Sequence, residues 1–253
     1  MVYDVLMTDA GGVRLQRSVL SEGTYEALRA MVVTFQIAPT ARVNIDVIAR
    51  TLGVSQTPVR EALAKLESDG LVEKEPLRGY RTTALLTADE FNELFEFRGI
   101  VEPAAAELAA QRTDQELAGL AAEIDAAERA TATAVGDPYE KFIEHDTRFH
   151  TLIAHLSGNR YLEQAYARTH VHLHLYRLYQ ASRDTGSHES SFVSELFQDY
   201  YTEGNDFRAI VEHKRIVVSI AAHDGAAAAA LMRDHIESSR QRVRHTTHGL
   251  TRT

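Results

Sequence analysis

The stretch EHDTRFH, residues 144–150, sets an aspartate and a histidine four positions apart. On a helix that spacing turns both side chains off one face, where a carboxylate and an imidazole can share one divalent ion. Two further histidines are His213, in IVEHKRIV, and His235, in LMRDHIESS. If the three helices carrying them converge, Asp146, His150, His213 and His235 make a nitrogen-and-oxygen site. Such a site suits zinc first, then nickel, manganese or iron, and leaves positions for water or a ligand. Asp-x-x-x-His alone is also what an exposed helix shows by chance, so a plain solvated face stays open as the alternative.

The chain has no cysteine. Any metal must therefore rest on His, Asp or Glu, and the absence of disulfides fits the cytoplasm. All twelve histidines lie at 145 or beyond. In THVHLHL, His170 and His174 share a helical face while His172 points elsewhere, so at most two can join one site. They read as polar groups of an interior or pocket wall. His145, His155, His188, His223, His245 and His248 read as surface residues or as supports behind nearer groups.

A second kind of chemistry sits in LGVSQTPVREALAKLESDG, residues 52–70. Gly53 supplies a turn, Ser55 is placed to cap a helix, and Pro58 falls in its first turn, where the missing N–H costs little. Val59, Ala62, Leu63 and Leu66 form the buried stripe, which leaves Gln56, Thr57 and Arg60 facing outward. A helix start with short polar side chains lets the backbone approach phosphate oxygens. One turn in, a guanidinium can reach the acceptors of guanine in the major groove. After Gly70, LVEKE and YRTT flank a Pro-Leu-Arg-Gly turn, a two-stranded wing with Arg78 at its tip. A small packing unit with an incidental surface arginine is the bland reading of the same pattern.

The elements that must hold these groups follow from periodicity and punctuation. Tyr25, Leu28, Met31 and Val32 share one face of a first helix; Ile45, Ile48, Ala49 and Leu52 face inward from a second, over about 44–52. Beyond 84 the signals are helix starts: Thr87 with Glu90, Thr113 with Glu116, Asp137-Pro138 with Glu140, then Asn159, Asp206 and Gly225. They predict six long helices, roughly 88–112, 114–135, 138–156, 160–182, 206–223 and 226–246, and no strand-like alternation. The fold expected is mainly α, a winged helix-turn-helix of three helices plus a small β-hairpin wing, followed by an antiparallel all-α bundle. The expected divisions are a mobile N-terminal arm at 1–20, the winged unit at 21–83, the bundle at 84–247 and a tail at 248–253. The stretch 184–206 is an insertion that could serve as lid or dimer element.

Charge follows the same division. Residues 1–83 hold 10 Lys/Arg and 10 Asp/Glu, whereas 84–253 hold 17 against 26, so the whole net charge of −9 belongs to the second part. A neutral first part removes the objection that an acidic chain cannot meet DNA. MVYDVLMTDAGG lacks the start of a signal peptide, and IVVSIAA at 216–222 is too short to span a bilayer.

IARTLGVSQTPVREALAKLESDGLVEKEPLRGYRTT resembles the winged helix-turn-helix of the GntR family of bacterial transcription regulators, in its FadR-like branch. The order of winged helix and then a bundle opening on LFEFRGIVEPAAAELAA resembles that branch with its FCD effector domain, over about residues 21–245. The resemblance implies DNA contacts by Thr57, Arg60, Arg78 and Gly79, to which the exposed helix start adds Ser55 and Gln56, and it implies metal ligation by Asp146, His150, His213 and His235. Two positions depart from the family pattern: Gln56 stands where Arg is usual, and Asp46 where Arg or Glu is frequent.

The resemblance also places Arg98 near a small carboxylate effector, with Arg177 as a second candidate. Arg98 could instead be tied by Glu102, four residues on. On the effector view, its loss would spare the metal. The function implied is a ligand-responsive repressor, a homodimer on a near-palindromic double-stranded operator, with no membrane partner and no enzymatic activity. A metal-dependent hydrolase with an appended helical domain, or a sensor of the metal itself, are the competing readings.

Overall fold

A computed structural model of the chain describes the backbone of residues 6–132, 138–183 and 205–244. The chain divides into two compact units, Met1–Leu85 and Leu86–Thr253.

In the first unit, α1 (Leu6–Val33) packs on α3 (Gln56–Ser68), with α2 (Ile45–Leu52) against α3. Residues 6–20 of the stretch expected as an arm belong to α1. Leu28, Val59, Leu63, Leu66 and Leu71 are fully buried between these elements, each stabilising the unit by about 1.5–3 kcal/mol. Tyr25 adds a hydrogen bond from its hydroxyl to Asp69 Oδ2 at 2.6 Å.

Asn44 caps α2 by accepting from the backbone N–H of Asp46 and Val47. Gly53 ends it in the left-handed region at φ 66°, where its N–H returns to the carbonyls of Ala49 and Arg50, a conformation that costs glycine little. The wing is larger than the predicted hairpin. Strands β2 (Val72–Glu75) and β3 (Gly79–Thr82) pair antiparallel, and β1 (Arg42–Val43) adds a third strand on β3. Two residues carry no readable alternation, so β1 has no local signal. Thr82 ties it down, accepting from the Ala41 N–H and donating to the Ala38 carbonyl.

In the second unit, α4 (Ala88–Ala109) packs along α10 (Gly225–Arg244), α5 (Asp114–Ala132) along α6 (Pro138–Leu156), and α9 (Asn205–Ala221) against α5 and α10. The packing is close. α4 buries Ala105, Ala106 and Ala109, α10 buries Ala228 and Ala229, and a Cβ added at Gly225 would meet the Glu107 carbonyl oxygen at 3.0 Å. Thr87 and Glu90 form a full capping box on α4. At α5, Thr113 N–H and hydroxyl both donate to Glu116. Asp137 lies outside the described residues.

The predicted helix over 160–182 is two helices, α7 (Arg160–Ala167) and α8 (Val171–Arg183). His170 breaks them in the left-handed region at φ 46°, and the Thr169 hydroxyl closes α7 on the Tyr166 carbonyl. Residues 184–204 of the insertion and the tail at 248–253 lie outside the described residues; Asn205 and Asp206 open α9. Among the described residues no helix is long and apolar enough to cross a membrane.

Candidate metal centre and nucleic-acid interface

Helix α6 contributes Asp146 and His150, α9 contributes His213, and α10 contributes His235. All four are buried, and one ligand atom from each lies within 4.8 Å of the others. His213 Nε2 stands 3.1 Å from His235 Nε2 and 3.4 Å from Asp146 Oδ1. His150 Nε2 is 3.5 Å from the same oxygen, yet among the described residues neither ring nitrogen of His150 has a partner in hydrogen-bond alignment. A buried imidazole with an unaligned inward nitrogen, facing two others and a carboxylate, is the donor set a divalent ion takes. The residues fit such an ion.

Each inward ring is held from behind, the arrangement that orients metal-binding histidines. His150 Nδ1 meets Glu102 Oε2, and His235 Nδ1 lies 2.7 Å from Glu212 Oε2. His213 Nδ1 lies 2.9 Å from His145 Nε2, and Phe149 stacks on the His213 ring at 3.9 Å between centroids. Asp146 turns its other oxygen to His172 Nδ1 at 3.0 Å, and His172 Nε2 contacts the Tyr166 hydroxyl at 2.7 Å.

The electrostatics separate the three imidazoles: burial would lower His150, but Glu102 and then Asp146 outweigh it and raise it, whereas the other two are lowered. Burial, and then the neighbouring His235, push His213 well below the usual histidine range. Burial lowers His235 too, against the opposing Glu212 hydrogen bond. Both therefore present lone pairs at neutral pH. Burial would raise Asp146, but His150 and His172 outweigh it and keep the carboxylate ionised.

Arg98 is buried on α4 and donates through Nε to Glu102 Oε1, with Nη2 3.5 Å from Oε2. Glu102 is thus shared between Arg98 and His150, which links the predicted effector arginine to the metal cluster through one carboxylate. Arg177 is buried on α8, and burial lowers its pKa to about 10. Of THVHLHL it is His172, on the face thought to point away, that reaches Asp146. His170 forms the helix break, and burial lowers His174 to about 4. His145 is buried as a support; His155 and His223 are exposed, against Glu163 and the Ala110 carbonyl. His188, His245 and His248 lie outside the described residues. Glu123 and Glu212 were missed, because a supporting carboxylate has no spacing rule relative to a ligand on another helix.

On the first unit, Gln56, Thr57 and Arg60 are exposed along the start of α3. Ser55 holds the N-cap position but makes no side-chain capping hydrogen bond, so the predicted cap is positional only. The two positions that departed from the family pattern touch each other. Gln56 Nε2 donates to Asp46 Oδ1, and Arg60 Nη2 donates to Gln56 Oε1 at 3.3 Å. A cleft of ≈ 690 Å³ gathers Arg60 from α3, Arg78 and Gly79 from the wing, and Arg42 from β1, with Asp46 and Gln56 in its wall. Arg42 was not predicted, since β1 itself was not legible. The tip belongs to Leu77, fully exposed at φ 62° beside Arg78.

Comparison with known proteins places both units. A family model described as "FCD domain" matches residues 93–238, and one described as "Bacterial regulatory proteins, gntR family" matches 20–81. The chain is similar to the uncharacterised HTH-type transcriptional regulator YdhC of Bacillus subtilis, 26% identical over 87% of this chain and 89% of that one. It is similar to the HTH-type transcriptional repressor GlaR of Escherichia coli, 25% identical over 87% and 93%. The solved structure of E. coli McbR/YncC shares the fold with a TM-score of 0.63 at 20% identity, covering 89% of this chain and 97% of that one.

Proposed function

The chain belongs to the gntR family of bacterial regulatory proteins, carries its FCD domain and is a transcriptional regulator rather than an enzyme, and on that footing we propose that it is a metal-dependent, acid-responsive repressor. The observation that carries the reading is the convergence of three imidazole Nε2 atoms and Asp146 Oδ1 in a buried cluster. Zinc held there by Asp146, His150, His213 and His235 would supply an electrophilic position for a small carboxylate. GlaR, an HTH-type transcriptional repressor to which the chain is 25% identical, supports repression as the direction. The hydrolase reading is set aside with the family assignment.

Two copies would place α3 and the wing on successive half-sites of a near-palindromic operator. Effector binding would alter operator affinity by the difference between its affinities for two arrangements of the dimer, typically worth about 1–3 kcal/mol. Operators selected from a randomised DNA pool provide the test, titrated first with chelator and then with small organic acids. Metal dependence together with acid release supports the proposal. Release by metal alone makes the ion itself the signal, and indifference to both removes the cluster from regulation.

On the selected operator, Arg60→Ala should lower affinity by about 1–3 kcal/mol and relax one base position, if its guanidinium reads a guanine through two hydrogen bonds. A loss uniform across sequences would make Arg60 a phosphate contact. Arg42→Ala and Arg78→Ala, both in the lining of the cleft, should instead weaken all sequences alike and each reduce the salt slope by about one. Fluorescence anisotropy at several salt concentrations separates the two behaviours.

A further inference from the structure

The three inward imidazoles are not supported alike. His150 and His235 each set Nδ1 directly against a carboxylate, Glu102 and Glu212. His213 turns Nδ1 to Nε2 of His145 at 2.9 Å, and His145 Nδ1 in turn lies 3.0 Å from Glu123 Oε1. Arg148 Nε holds both oxygens of Glu123, at 3.0 and 3.1 Å. Glu123 is 14% exposed and Arg148 is 53% exposed, so this arm runs from the cluster to the surface.

An ionised carboxylate can only accept hydrogen bonds, and a neutral imidazole donates through one nitrogen and accepts through the other. Glu123 therefore takes the proton-bearing Nδ1 of His145 and leaves His145 Nε2 as an acceptor. His213 must then donate through Nδ1, and its lone pair is left on Nε2, the atom facing His235 and Asp146. We infer that His145 is a positioning residue, through which Glu123 sets the tautomer of His213 and turns its lone pair toward the metal. Phe149 holds the plane of the His213 ring but cannot select between its nitrogens. The inference rests on the metal reading proposed above, and it adds a residue outside the four that would hold the ion.

Zinc affinity of the full chain, measured by competition with a chromophoric chelator, tests it alongside the visible spectrum of the Co²⁺-loaded protein. His145→Phe keeps a ring in the buried space and removes the acceptor. It should lower zinc affinity about 10–100-fold, the usual loss when such a support is removed, and alter the Co²⁺ bands. His145→Gln keeps an acceptor for His213 and a donor for Glu123 and should restore most of the affinity and the wild-type spectrum.

Equal loss in both variants would make His145 a packing residue and overturn the inference, as would unchanged affinity in His145→Phe. Should His145→Phe fail to fold, Glu123→Ala at the partly exposed end replaces it, and unchanged affinity there overturns the inference equally. Wild-type protein that takes up no zinc would instead refute the metal reading beneath it.

Discussion

Arg98→Ala should destabilise the helical unit by about 3–5 kcal/mol, the usual result of removing one partner of a buried ion pair. Arg98 is 2% exposed and Glu102 is 3% exposed. Burial alone would push the Glu102 carboxyl up, but Arg98 first and then His150 outweigh it and hold the group below the usual carboxylate range. Without the guanidinium, Glu102 either stays charged beside His150 alone or takes up a proton. In the second case the support behind His150 weakens as well, so zinc affinity falls with stability.

This revises the expectation that losing Arg98 spares the metal. An effector carboxylate must compete for a guanidinium whose Nε and Nη2 already face Glu102. Denaturant unfolding gives the measurement. Arg98→Met combined with Glu102→Leu should recover much of the stability, since apolar replacement of both partners is often neutral or favourable, without recovering zinc affinity. Arg98→Ala within about 1 kcal/mol of wild type, the size of an exposed pair, and without the acid response would return Arg98 to the role of effector contact.

His213→Ala and His235→Ala should each abolish zinc uptake, a larger effect than the about 10–100-fold cost of losing a supporting residue. The purified wild-type protein should carry about one divalent ion per chain, as expected of a single four-residue site. Zinc at about 100 times its dissociation constant should stabilise wild type by about 2.7 kcal/mol and leave both variants unchanged. His170→Ala, at the break between α7 and α8, should bind zinc as wild type does. Elemental analysis and thermal melting with and without zinc check all of these. Metal retained when Asp146, His150, His213 and His235 are all replaced by alanine would place any bound ion elsewhere.

Short-range order was legible in the chain. Asp146 and His150 share a face because the helical period brings i and i+4 together, and the Thr87–Glu90 box needs only local geometry. The start of α3 was readable because a glycine turn, a proline in the first turn and a thin apolar stripe act within a few residues of one another. The pairing of His213 and His235 with α6 was one possibility of residue type that the family resemblance strengthened, since periodicity says which face of a helix is apolar and not which helix it meets.

Tertiary structure decided the rest. One residue, His170, enters the left-handed region and breaks a continuous helical phase, so His172 rather than its neighbours comes to Asp146. The supports Glu123 and Glu212 were hidden because their partners lie 22 and 23 positions away in the chain, and His145, read as surface or support, was settled by His213, 68 positions on. Strand β1 exists because β3 offers it hydrogen bonds, not because two residues prefer to be extended. Arg98 looked equally like a ligand contact and a helix pair. Only the structure shows it buried against Glu102, the carboxylate that also meets His150, because a charge withdrawn from water must find its partner inside the protein.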